Sequence, residues 1–175
     1  MSIKIRETDV NDAESISAVH IASWQRAYRG IIEQSYLESM DLHEKMRKWQ
    51  VNLDRQERGI RQTYVAIDDT EIVGFGSIGP ARDKGREGYG ELYALYLKPE
   101  SFGCGVGTRL FDFLYKKTKG FGHTKLYVWV LKDNIRARGF YERMGGSAAP
   151  EFLKDVVIGN STYQEIQYCW NDMNE

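Results

Sequence analysis

The chain has 175 residues, 42% of them hydrophobic, and a formal net charge of -1 at pH 7. That length suits a single domain, residues 1–175, with a full-sized core, and the near-neutral balance gives no electrostatic reason to expect nucleic-acid or membrane binding. Cys104 and Cys169 form no Cys-x-x-Cys pair, His20, His43 and His123 lack metal-ligand spacing, and the start of the chain is charged rather than apolar, so a reduced cytoplasmic protein without a metal is expected.

Ile3 to Arg6 alternates as a first strand, and Thr8 or Asp9 caps a helix from about Val10 to Tyr28 that Gly30 stops. Further helical stretches cover Ile31 to Met40 and Leu42 to Leu53, broken at Asp41, before a run of Arg, Glu and Gly from Arg55 to Arg61. Thr63 to Ile67 and Ile72 to Ile78 read as a β-hairpin turning at Asp68-Asp69-Thr70. Gly79 to Gly88 reads as an exposed loop, and the strand Gly90 to Leu97 that follows is ended by Pro99. A helix begins after Gly105, with Val106, Leu110, Phe113 and Leu114 on its apolar stripe, lysines in its last turn and Gly120 to terminate it. Lys125 to Val130 forms the next strand, and Ala137, Phe140, Tyr141 and Met144 share a face of the next helix, capped by Asp133 or Asn134 and ended by Gly145. Val156 to Ile158 and Thr162 to Trp170 make a last hairpin turning at Gly159-Asn160-Ser161.

The stretch from Tyr89 to Leu114 carries the chemistry. A buried strand passes through Gly103, Gly105 and Gly107 into a helix whose first turn holds Arg109 and no carboxylate. Glycines that allow close backbone approach, followed by unpaired N–H groups at a positive dipole end, make an anion-binding device. The chain contains no Gly-Lys-Ser/Thr for a nucleoside-triphosphate loop. Nor does it hold a dinucleotide fingerprint, whose third glycine would fall on Thr108 or Leu110 and whose later acid is missing.

The spacing from Phe102 to Gly107 resembles motif A of the GCN5-related N-acetyltransferase family, Gln/Arg-x-x-Gly-x-Gly/Ala, and Asn134 to Gly145 resembles its motif B, Asn-x-x-Ala-x-x-Phe-Tyr-Glu-x-x-Gly. The resemblance implies the family's α/β (α+β) acyl-CoA N-acyltransferase fold, a mixed, mostly antiparallel sheet of about seven strands flanked by helices. It also implies acetyl-CoA as cosubstrate and transfer of the acetyl group to a primary amine of a small molecule or protein, with no covalent intermediate. A non-catalytic acyl-CoA sensor of the same fold is the alternative, and a homodimer is an allowed assembly.

On this resemblance Leu95, Tyr96 and Leu97 offer backbone groups to the pantetheine arm and thioester, and Phe102, Gly103, Cys104, Gly105, Val106, Gly107 and Thr108 surround the pyrophosphate. Asn134 contacts the CoA arm, caps its helix, or does both. Tyr141 sits near the CoA sulfur as an acid for the thiolate, or packs as core. Glu91 is the expected general base, on the face of Tyr93 and Leu95 if no bulge intervenes; otherwise it is a strand-end glutamate in solvent, with Glu87 as the fallback. His20, Trp24 and Tyr28 form an i, i+4, i+8 stripe that packs as core or, with Tyr36, lines the acceptor site. Phe102 replaces the family's Gln or Arg, Gly146 stands where many members have Phe, and Gly139 inside a helix costs about 1 kcal/mol relative to Ala.

Overall fold

The structure is a computed structural model and describes residues 2–56 and 60–173. The centre of the charged run Arg55 to Arg61, residues 57–59, lies outside the described residues. Seven strands, β1 (Ile3–Glu7), β2 (Gln62–Asp68), β3 (Glu71–Pro80), β4 (Tyr89–Leu97), β5 (Lys125–Leu131), β6 (Ser147–Ile158) and β7 (Ser161–Trp170), form one sheet in the order β1-β2-β3-β4-β5-β7-β6. Every pairing is antiparallel except β4 with β5. The helices are α1 (Ala13–Ala27), α2 (Gln34–Glu38), α3 (Leu42–Asp54), α4 (Val106–Gly120) and α5 (Ile135–Arg143).

Strands β2 and β3 are buried almost end to end because both sheet faces are covered. On one face Tyr64, Ala66 and Val73 pack with Val106, Leu110 and Leu114 of α4 and with Tyr141 of α5. On the other, Val65, Ile72 and Phe75 pack with Ile16 and Val19 of α1 and Trp49 and Leu53 of α3. Among the described residues no helix is long and apolar enough to cross a membrane.

Four details differ from the sequence reading. Helix α1 is preceded by a 3-10 turn at Val10–Asp12, because Asp9 and Asp12 close a capping box there. Helix α4 runs through Gly120, and the left-handed residue that ends it is Gly122, at φ 89°. The loop before β4 is anchored rather than exposed throughout. Arg86 is buried in it, with its guanidinium 3.9 Å from the centroid of the Phe152 ring and donating to Gln167 on β7. Finally, β6 begins at Ser147, well before the expected Val156. It is an edge strand, which tolerates Pro150 and an irregularity between Ala149 and Leu153, and it shows little alternation in burial.

The functional geometry comes from an incomplete pairing. Strands β4 and β5 are in register only from Tyr89 to Leu92 against Lys125 to Val128. Beyond that they part, so the second halves of both strands lack a partner on the facing side. A bulge helps the parting: Ser77 pairs with Ala94 and the adjacent Ile78 with Leu92, which leaves Tyr93 as the extra residue.

Candidate active site

A cavity of about 430 Å³ opens between the parted halves of β4 and β5. Of the residues the sequence singled out, Leu95, Tyr96, Leu97, Phe102, Gly103, Gly105, Gly107, Thr108, Asn134 and Tyr141 all line it. Cys104 and Val106 do not. The Cys104 thiol is exposed and turned to the carbonyls of Glu100 and Phe102, and Val106 is fully buried in the core, so each can offer the cavity only its backbone. The Asn134 side chain accepts a hydrogen bond from the Ala137 N–H at 3.1 Å and so caps α5 while also lining the cavity.

Helix α4 opens onto this cavity. Its N-cap is Gly105 in the left-handed region at φ 79°, with no side-chain cap and no acid in the first turn, so the first-turn N–H groups face a site rather than a cap. The three glycines differ in what they do. A Cβ on Gly103 or Gly105 would meet open space, so those positions need glycine for their positive φ. A Cβ on Gly107 would lie 3.3 Å from Leu97 Cδ1 and 3.5 Å from Phe140 Cε2, so that glycine lets α4 pack closely on β4 and α5. At the same mouth the Arg136 guanidinium lies 3.7 Å from the centroid of the Phe102 ring. Burial, then the charge of Arg26, lowers its pKa below the ordinary guanidinium range, and it has no carboxylate ion-pair partner among the described residues.

A second, smaller cavity of about 140 Å³ adjoins the first, and Tyr28, Tyr93, Tyr96 and Trp129 border both. Trp24 and Tyr28 line it, and Tyr36 does not. Tyr36 sits one layer back, 6.5 Å from the Trp24 ring and against Gly159. The phenols of Tyr28, Tyr96 and Tyr141 lie close enough to one another to interact electrostatically. Burial raises the pKa of all three above the ordinary phenol value.

Glu91 lies in this second cavity, but the bulge changes its company. It shares a face with Tyr93, Ala94 and Tyr96 but not with Leu95, and it is buried rather than in solvent. Its Oε2 accepts hydrogen bonds from the Arg82 N–H at 3.0 Å, the Arg82 Nε at 3.1 Å and the Tyr127 hydroxyl at 2.8 Å, and its Oε1 accepts from the Arg82 guanidinium at 2.5 Å. Three of these bonds fall on Oε2 and one on Oε1, so Arg82 and Tyr127 hold the carboxylate in place. That is the geometry of an anchor. Glu87 is exposed in the loop and lines neither cavity.

His20 is packed rather than free for chemistry. It stacks on Tyr96 at 5.0 Å, its Nδ1 accepts from the Trp49 indole at 3.2 Å, and burial, then Lys45, holds its pKa down to about 3. The unfolded chain therefore binds a proton that the folded chain refuses between about pH 6.5 and 3, and stability falls as pH drops through that window. Urea midpoints from pH 7 to 4 should show a His20-dependent slope on the order of 1 kcal/mol per pH unit, absent from His20→Phe. Parallel slopes for the two proteins would contradict it.

Several residues at the site were not singled out from sequence. Arg136 fills an unspecified position of motif B, so no pattern marked it. Glu165 lies on β7, opposite Leu131 of β5, and only the strand order brings it to the cavity. Tyr93, Arg82, Trp129 and Lys154 likewise depend on the bulge, the anchored loop and the edge strand.

A strand splayed from its parallel neighbour, with a glycine turn and uncapped helix start at the end of the opening, is the architecture of an acyl-CoA transferase. The sequence matches the Acetyltransferase (GNAT) family over residues 21–146, and the chain belongs to that family. It is 35% identical to YuaI, an uncharacterised N-acetyltransferase of Bacillus subtilis, with 98% of this chain and 95% of the relative covered. It is 29% identical to the spermidine N(1)-acetyltransferase of Thermoplasma acidophilum, with 83% and 88% covered. The fold matches the crystal structure of PaiA N-acetyltransferase from Thermoplasma acidophilum in complex with coenzyme A, with a TM-score of 0.77 and 25% identity over 95% of this chain and 98% of that one. The chain is an acetyl-CoA-dependent N-acetyltransferase, which decides between the enzyme and the sensor.

Proposed function

We propose that the protein transfers the acetyl group of acetyl-CoA directly to the primary amine of a small molecule while both are bound, with no acetylated enzyme on the way. The observation that carries this reading is the contact of the two cavities around Tyr28, Tyr93, Tyr96 and Trp129. An amine in the smaller cavity meets a thioester in the larger one with no cysteine, serine or lysine among the residues that border both.

In this reading the α4 start, from Gly103 to Thr108, receives the pyrophosphate, and Arg136 on Phe102 supplies the polar contact that the family's Gln or Arg would otherwise make. The unpaired backbone of Leu95 to Leu97 receives the pantetheine arm and the carbonyl oxygen as it gains charge. Tyr141 donates a hydrogen bond to the departing sulfur. The amine nitrogen forms the new N–C bond, the C–S bond breaks, and CoA leaves as the thiol with one proton released for each ammonium consumed. Glu91 holds Arg82 over the Tyr93 ring, 4.3 Å from its centroid, and so shapes the acceptor wall.

The relative that acetylates spermidine supports a small-molecule amine as the acceptor class. A panel of aliphatic amines, amino acids, amino sugars and lysine peptides assayed for CoA release tests this. Release with small amines at a rate well above hydrolysis is expected. Release with peptides alone would overturn the small-molecule reading, and none with any amine would overturn the transfer itself.

A further inference from the structure

The smaller cavity carries two carboxylates, and they are not equivalent. Glu91 accepts four hydrogen bonds, three from Arg82 and one from Tyr127, which tie it to the cavity wall. Glu165 has one charged partner among the described residues, the Lys154 ammonium at 3.5 Å, which is long for a charge-assisted bond. Lys154 also lies 4.1 Å from the centroid of the Trp129 ring, and the Trp129 indole N–H is fixed by donating to Asp83 at 2.7 Å. An alkylammonium against an aromatic face and beside a carboxylate is therefore already present in the cavity, supplied by the chain itself.

We propose that Glu165 and Trp129 receive the ammonium end of the acceptor and that Lys154 holds this place until the acceptor displaces it, after which Glu165 takes the proton that the attacking amine must lose. The inference rests on the reading that the smaller cavity is the acceptor site, and it names both the class of acceptor and the proton acceptor. Exchanging one ammonium for another keeps the pocket neutral, and Lys154 can leave cheaply. It sits on the edge strand β6, its side chain is 41% exposed, and its stem is flexible. The size of the cavity selects further. At about 140 Å³ it is below the roughly 300 Å³ at which pockets enclose drug-sized ligands, so it suits a small amine.

The electrostatics suit proton transfer. Burial raises the Glu165 pKa above the ordinary carboxylate range, while Lys154 and then Arg82 lower it and Asp83 raises it. The phenols of Tyr28 and Tyr96 face it from α1 and β4. When Lys154 swings out, the arriving ammonium takes its place beside Glu165, and the burial that penalises charge there favours passing one proton from that ammonium to the carboxylate, which leaves both groups neutral. The ammonium gives one proton to Glu165, the freed lone pair forms the N–C bond, and Glu165 passes that proton to solvent through the open side of the cavity.

The test uses the full chain saturated with CoA and butylammonium chloride as the probe. Calorimetry should show Glu165→Gln weakening butylammonium binding about tenfold and Lys154→Met tightening it several-fold, with CoA affinity unchanged in both. The kcat/KM profile for butylamine should lose its acid limb in Glu165→Gln and shift that limb to higher pH in Lys154→Met. Equal binding by Glu165→Gln, weaker binding by Lys154→Met, or no binding by the parent would each overturn the proposal. Two of these outcomes separate it from the broader reading. Turnover of amines that ignores Glu165 sinks the Glu165 assignment alone, whereas Glu165-dependent binding without any turnover sinks the transfer reading alone.

Discussion

Tyr141→Phe is expected to lower kcat about a hundredfold while leaving the affinity for acetyl-CoA essentially unchanged. The ring of Tyr141 is buried on α5 and packs edge-on against Phe111, Phe140 and Trp170, contacts that phenylalanine keeps. What the substitution removes is a hydroxyl at the cavity between β4 and β5. Burial, with the neighbouring Tyr96, raises the pKa of that hydroxyl above the ordinary phenol value of 10.0. It therefore keeps its proton throughout the neutral range, and full transfer to a thiolate with an ordinary pKa of about 8.5 runs uphill. A hydrogen bond to the sulfur as the C–S bond breaks is the role that remains, and it stabilises the transition state without adding to ground-state binding. Single-turnover rates measured beside acetyl-CoA binding separate the two. An unchanged rate would return Tyr141 to the core, and a parallel loss of affinity would show that it holds the substrate rather than the leaving group.

Arg136→Ala should weaken acetyl-CoA binding about thirtyfold, as expected for losing a charge-assisted contact to phosphate worth about 2 kcal/mol. The guanidinium stands on the Phe102 ring, beside the uncapped start of α4, with its pKa lowered by burial and by Arg26. A bound anion relieves that cost. Two further observations should accompany the loss. The salt dependence of binding should flatten, and S-acetylpantetheine, which has no phosphates, should be turned over equally by variant and parent. Arg136→Lys should recover only part of the affinity, because a flat guanidinium stacks on Phe102 and an ammonium does not. Equal acetyl-CoA affinity in Arg136→Ala would move the phosphate contacts back to the backbone of Gly103 to Thr108 alone.

The parts of the site that were legible in the sequence are those whose function depends on backbone conformation. The glycine turn and the Asn134 cap follow from local rules and lie at the cavity, although Gly103 and Gly105 serve there through their positive φ and not through the close approach expected of them. The strands of the β2–β3 hairpin were visible for the same reason, since β-branched runs flanked a turn that Asp69 makes at φ 53°. What local rules could not reach was anything set by a bulge or by strand order. One extra residue at Tyr93 moved Glu91 to the face of Tyr96. Three strands, β5, β6 and β7, and the loop before β4 then supplied Trp129, Lys154, Glu165 and Arg82 to one cavity. Strand β6 was hidden because an edge strand with Pro150 and sparse burial has neither the period nor the composition of a buried one.

That both substrates are on the protein together, in adjoining cavities, is tested most directly by initial-rate kinetics in which acetyl-CoA and the fastest amine of the panel are varied against one another. Direct transfer through a ternary complex predicts double-reciprocal lines that intersect. Parallel lines, the mark of CoA leaving an acetylated enzyme before the amine binds, would contradict it.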